Sequence, residues 1–209
     1  MTLNEVPSDA DSDIRKILDF WFGDNDGETV PERQTDMWFR NGRDYDHEIR
    51  EQFADLIDCA AAGAFDAWCQ SGTGRLALIV LLDQFPRHVH RNHARAFAYD
   101  AKAREHCLAG LAQAQASELS HLQRATFYLP LEHAENRALQ ERAVALYQAL
   151  ANAVTADNHE TYANYVLYAS MHRDFIVRFG HFPHRNELIG RPLSAEQQAF
   201  LLEPNSSFL

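Results

Sequence analysis

Lysine is almost missing from this chain of 209 residues: of its 19 basic side chains only Lys16 and Lys102 are lysine, and the rest are arginine. Arginine is the planar fork that matches carboxylate and phosphate, so any anion recognition here is arginine recognition. Cysteine is scarce too. Cys59, Cys69 and Cys107 form no C-x-x-C spacing, which excludes a disulfide scaffold and a cysteine zinc site, and they read as small apolar fillers of helices. No apolar run exceeds the seven residues Leu76–Leu82, far short of the roughly 20 that span a bilayer. The first residues carry Glu5, Asp9, Asp11 and Asp13 with no early Lys or Arg, unlike a signal peptide. The expectation is a cytoplasmic protein with no membrane partner. The 9 glycines and 7 prolines are scattered and build no linker. With 46% apolar and 23% charged residues the chain reads as one globular domain over 1–209, with 1–12 and 204–209 as flexible ends.

The net charge of −11 is unevenly spread. Residues 1–60 hold 16 acids against 6 bases, and the remainder is close to neutral. Within that remainder, 84–95 contains Arg87, Arg91 and Arg95 with His88, His90 and His93 and no acid. One such loop lacks the broad basic face that a phosphate backbone needs, so nucleic acid is not an expected partner.

Helical spacing of apolar residues recurs, while alternation of period two is never sustained. The pattern predicts an all-α fold of eight or nine helices in antiparallel hairpins, stacked as a tetratricopeptide-like right-handed array or wrapped as a bundle. Ser12 is the expected cap of a first helix that Gly23 stops. Short and longer helices follow at 36–39 and 44–62, then a turn at 71–74. A helix over 73–85 is apolar on nearly all sides, and Pro86 is expected to end it. Asn92 is read as the cap of a helix to Gly110, and another helix covers 117–128. Pro130 is placed at the first position of a long helix to about Ala153. Asn158 opens a helix that Gly180 terminates, and Ser194 with Gln197 matches a capping box.

Ionisable residues on apolar faces are the informative exceptions, because leaving one unpaired in a core costs several kcal/mol. Taking Tyr162 as reference, Arg173 falls near the centre of its helix stripe, with His172 at one edge. Glu132 and Glu135 fall on the stripe of the helix drawn from Pro130, and Asp83 sits on the helix without a polar face. Arg173 is thus read either as a tie to one of these carboxylates or as part of a polar site with His133 and His172. Two turns resemble each other, Phe85-Pro86-Arg87 and Phe182-Pro183-His184-Arg185-Asn186. Each follows a helix that carries an inward ionisable group, so the two turns are expected to meet and share one site, with Arg87, Arg185 and Arg191 as its anion forks. No H-E-x-x-H, no G-x-S-x-G elbow and no complete glycine-rich phosphate loop occurs. No metal or cofactor is expected.

The segments Leu82-Asp83-Gln84-Phe85-Pro86-Arg87, Phe97-Ala98-Tyr99-Asp100, Pro130-Leu131-Glu132-His133 and Phe179-Gly180-His181-Phe182-Pro183-His184-Arg185-Asn186 resemble the signature segments of the bacterial domain of unknown function family 924. The similarity runs from about Ile17 to Leu202. It implies an all-helical, tetratricopeptide-related fold and no established activity. The chain departs from the family pattern at His88, where Asn is expected, at Ala134, where Ser is usual, and at His181, where Arg is usual. The last change removes a positive charge and tilts the expected anion from phosphate toward carboxylate.

The leading functional expectation is a small anionic or zwitterionic ligand, held by Asp83, Arg87, Glu132, Glu135, Arg173, Phe182, His184, Arg185, Asn186 and Arg191. In it Arg173 and Arg185 clamp the anion, and Glu132 accepts an amine or hydroxyl. Two alternatives stay open: a hydrolytic or acid/base enzyme using Glu132 with His133 or His172, and a tetratricopeptide-like adaptor for a peptide. Oligomeric state has no reading in the sequence.

Overall fold

The computed structural model describes residues 10–204, 206 and 207, and every regular element among them is helical. Eleven α-helical segments form: α1 (Ala10–Phe22), α2 (Glu32–Thr35), α3 (Asp46–Ala61), α4 (Gly72–Ile79), α5 (Phe85–Val89), α6 (Asp100–Ala112), α7 (His121–Glu132), α8 (Arg137–Ala151), α9 (His159–Phe179), α10 (Asn186–Ile189) and α11 (Ala195–Phe200). Seven of these are eight residues or longer, and single π and 3-10 turns join many of them. The expected flexible ends lie mostly outside the described residues, but Ala10 to Ser12 already belong to α1. Ser12 is therefore inside that helix and not its cap.

α4 fills the centre. Leu76 to Leu82 are all 0% exposed, and α1, α3, α6 and α7 pack around this segment and its continuation. Each such aliphatic side chain contributes roughly 1.5–3 kcal/mol of burial. Pro86 does not end this path. The turn Val80–Gln84 widens to π geometry, and α5 resumes at once with Pro86 in its first turn, where the missing N–H costs nothing. Phe85 stacks on Phe53 with ring centroids 4.5 Å apart and packs edge-on to Phe20 and Trp21. One buried cation escaped the sequence reading: Arg75 on α4 has no acid partner among the described residues and is held by Gln115 Oε1 at 2.5 Å and the Cys69 carbonyl at 2.9 Å.

Pro130 does not start a helix either. Ser120 and Gln123 form a capping box that starts α7 about two and a half turns earlier, and Pro130 lies inside it near the C-terminus, giving up the one bond its N–H would make to the Thr126 carbonyl. Residues 133–136 then turn the chain, and Asn136 Oδ1 accepts the Leu139 N–H at 3.1 Å to cap α8. Asn92, expected as a cap, adopts left-handed backbone at φ 62° in a turn, and α6 begins only at Asp100. Ser71, expected in a turn, caps α4 through Gly74 N–H. Of the cysteines, Cys107 is buried and Cys59 is exposed, so the filler reading fails at Cys59.

α7, α8 and α9 pack consecutively as hairpins. At the far end of α9, Phe175, Ile176, Phe182 and Phe200 form a second, smaller core. α11, started by the Ser194–Gln197 capping box, closes it. This arrangement brings the turn after Gly180 beside the end of α7 and the π turn.

Candidate functional site

Four short stretches converge where the path of α4 and the helices α7 and α9 end: Asp83 to Arg87, Phe97 to Asp100, Glu132 to His133, and Phe182 to Arg185. Asp83 is fully buried, and both its oxygens lie 2.9 Å from His133 Nδ1. Gln84 Nε2 also donates to it, and Arg87 Nη2 stands 3.5 Å from Oδ1. Arg87 Nη1 donates to the Asp83 carbonyl, while its two terminal nitrogens fork onto Asp100 at 3.0 and 3.2 Å. Arg185 Nη1 reaches the same carboxylate at 3.1 Å and the His133 carbonyl at 3.3 Å. Asp100, the first residue of α6, thus joins the two Phe-Pro turns. The Arg185 guanidinium sits over the rings of Phe182 at 4.5 Å and Phe97 at 4.6 Å, contacts worth about 2 kcal/mol when desolvated.

A second histidine–carboxylate pair lies alongside. His172 Nδ1 is 2.9 Å from Glu132 Oε1, with both side chains buried, and also 2.9 Å from the Tyr168 carbonyl. The His133 and His172 rings are 6.0 Å apart, and His172 meets Phe182 edge-on at 5.5 Å. Together these groups border a cavity of about 90 Å³ lined by His133, His172, His184, Arg185, Arg87 and Phe97, with Arg43, Arg91, Asn92, Ala96 and Leu188 around it.

Burial dominates the electrostatics. It pushes the Asp83 carboxyl up, but Arg87 and then His133 overturn it and hold the group well below the usual carboxylate range. His133 goes the other way: burial first and Arg87 second lower its pKa, against Asp83. Burial, then Arg185, takes His184 down to about 3. Arg185 itself falls to about 10 by burial, with Asp100 opposing. His133 and His184 are therefore neutral at pH 7 and Arg185 charged. Burial, and after it the Glu132 carboxylate, push the Tyr147 and Tyr165 phenols up.

Of the residues expected in the site, Arg87, His133, His172, His184 and Arg185 border the cavity, and Asp83, Glu132 and Phe182 stand behind them. Arg173 is elsewhere. It is partly exposed and pairs with its exposed neighbour Asp174 at 2.8 Å, because the buried stripe of α9 runs through Tyr162, Ala169, His172, Phe175 and Ile176. Tyr162 lies at the edge of that stripe, so measuring from it set the phase wrong by roughly 70° at 100° per residue. Glu135 is not on a helix at all. It sits in the turn after α7, where Arg191 forks onto it at 2.8 and 3.1 Å and the Phe182 N–H donates at 3.0 Å. Asn186 is buried and donates to His181 Nε2 and the Pro192 carbonyl, both at 3.2 Å. Glu135, Arg191 and Asn186 thus brace the second turn without lining the cavity.

Asp100, Phe97, Arg91 and Arg43 were missed. Asp100 is the first acid after the acid-free basic stretch 84–95, and that was the available signal. The departures from the family pattern also find their places. His88 Nδ1 meets Asp46 at 2.9 Å beside Arg91, which forks onto Asp46 at 2.6 and 2.7 Å. His181 Nε2 accepts from Asn186 and Gln197 and does not border the cavity, so the charge lost there has no bearing on it.

A separate, more open cleft of about 410 Å³ lies between α9 and the segment near α2, lined by Phe39, Tyr165, Leu167 and Tyr168 with Thr and Asn side chains. Among the described residues no cluster of three His, Cys, Asp or Glu is arranged to hold a metal ion, and no helix is long and apolar enough to cross a membrane.

No curated protein matches the chain. A solved structure of a protein of unknown function from Agrobacterium tumefaciens is similar to it at 32% identity and a TM-score of 0.79, over 93% of this chain and 99% of that one. The family model for bacterial proteins of unknown function designated DUF924 matches residues 17–205, across all of the stretches that build the cavity, and this chain belongs to that family.

Proposed function

We propose that the chain binds a small anion in the arginine–histidine cavity. The observation that carries this reading is Arg185. Its Nη1 is engaged by Asp100 and the His133 carbonyl, Nη2 makes no bond to a described residue, and Nε is buried with no partner. An orphan donor on a buried cation costs about 1–3 kcal/mol or more, and an oxyanion on the Nε–Nη2 edge repays it in the bidentate geometry that guanidinium favours. Size supports the same reading. A cavity water needs roughly 10–15 Å³, so about 90 Å³ takes a ligand of about half a dozen heavy atoms, far below the roughly 300–1,000 Å³ of a drug-sized site. The amine-accepting role first given to Glu132 is dropped, since Glu132 is engaged by His172 and does not line the cavity.

The test is calorimetric titration of the purified protein with acetate, formate and inorganic phosphate at low ionic strength. Arg185→Ala should abolish binding that Arg173→Ala leaves intact. Equal binding by the Arg185→Ala protein would refute the reading. Acid/base chemistry at this site would fall to His133 or His172, which both line the cavity and are each oriented by a buried carboxylate, Asp83 and Glu132. The adaptor reading has one observation of its own: Phe39, Leu167 and Tyr168 are about half exposed in the larger cleft, which offers a peptide an apolar seat.

A further inference from the structure

We infer that the anion taken by this cavity is one that keeps an O–H, an oxyanion of the hydrogen phosphate type, and that His133 Nε2 is the acceptor selecting it over aprotic isosteres such as sulfate. The inference rests on the anion-site reading above and deepens it. The argument begins at Asp83. A fully buried carboxylate flanked by Arg87 is an acceptor only, so the His133 nitrogen that sits 2.9 Å from both its oxygens carries the proton. Burial and Arg87 keep the ring neutral. A neutral imidazole protonated at Nδ1 presents a lone pair at Nε2. That atom bonds to no described residue and is not sealed from solvent, and the ring borders the cavity.

The cavity therefore offers two kinds of partner. Arg185 supplies donors, and arginine has no acceptor to give. His133 supplies an acceptor. An anion with only acceptor oxygens satisfies the first and sets a lone pair against the second, leaving a polar group unpaired, which is the strongest basis for rejecting a near-isostere. An anion that retains a hydroxyl satisfies both.

The experiment compares inorganic phosphate with sulfate by titration calorimetry at pH 6.5 and matched ionic strength, on wild type and on His133→Asn. Asparagine keeps an N–H donor near the Nδ1 position for Asp83 and deletes the Nε2 acceptor. Wild type should bind phosphate at least about tenfold more tightly than sulfate, the factor of one well-made hydrogen bond, and His133→Asn should bring the two within about threefold by weakening phosphate. If wild type binds both equally and Arg185→Ala abolishes both, the selectivity is wrong and the anion site stands. If neither anion binds and Arg185→Ala changes nothing, the anion site itself falls. Equal weakening of both anions in a folded His133→Asn protein would make His133 a mere support and overturn the inference. Should that variant fail to fold, the wild-type ratio alone decides.

Discussion

The two Phe-Pro turns look alike in sequence and are built differently. The first, Phe85-Pro86-Arg87, interrupts nothing: the chain passes through a π turn and carries on as α5, with the Phe85 ring stacked in the main core. The second is a true stop. Gly180 takes left-handed backbone at φ 74°, Phe182 roots a separate small core, and Pro183 opens a 3-10 turn. Even so, the arginine of each arrives at one carboxylate, Asp100. What the two turns share is therefore a target and not a conformation. The proline fixes where the backbone lacks a donor, and the aromatic fixes the depth. The arginine, on its long stem, absorbs the difference in path.

The comparison breaks most sharply at Asp100. Replacing it with alanine strands two guanidiniums, one 19% and the other 9% exposed at the side chain, and removes a favourable charge from the first turn of α6. Asp100→Ala should cost about 3–5 kcal/mol in urea unfolding, the range for breaking a buried pair from one side. A loss under about 1 kcal/mol would mean that each arginine is held by its own turn. The next effect is smaller and sharpens the asymmetry. Arg87 also ties its own helix, through the Asp83 carbonyl and carboxylate, whereas Arg185 has an orphan Nε. Arg87→Ala should therefore destabilise more than Arg185→Ala. The double mutant should show coupling of about 1–2 kcal/mol through the shared carboxylate, and strict additivity would separate the turns.

Much of this was legible in the sequence, and what was not has identifiable causes. The helical class followed from periodicity alone, and Asp83 was correctly buried because a helix with no polar face has nowhere else to send it. The meeting of Arg87 and Arg185 followed from the likeness of the turns. Arg173 failed because a stripe on a 21-residue helix is broad, and a phase taken from one residue at its edge places the next ionisable side chain on the wrong flank. His172, one position away, was the buried one. Pro86 misled because a proline in the first turn of a helix gives up no N–H bond, and Pro130 because α7 runs on through it at the cost of one backbone bond, the one to the Thr126 carbonyl. Asp100 was quoted within a motif and given no role. A lone acid at a helix start has an ordinary explanation in the helix dipole, and only tertiary structure shows two arginines on it.

The smallest expected effect separates the turns by backbone alone. A Cβ added at Gly180 would meet nothing within 4 Å, so Gly180→Ala carries no packing cost. What it carries is the strain of a left-handed alanine, about 1–2 kcal/mol, partly offset by the lower entropy of the unfolded chain, about 0.4–1 kcal/mol. The net should be a loss of about 0.5–1 kcal/mol. The strain falls on the residue that ends α9 and starts the path to Arg185, and nothing of the kind exists at Pro86, whose neighbours keep right-handed helical backbone. Titration of the Gly180→Ala protein with phosphate should then show the weakening confined to the second turn's contribution: affinity falls while the Arg87–Asp100 pair, followed by the stability cost of Arg87→Ala in the same background, is unchanged. A gain in stability from Gly180→Ala would show that α9 prefers to continue, and that the second turn, like the first, is an interruption the helix can bridge.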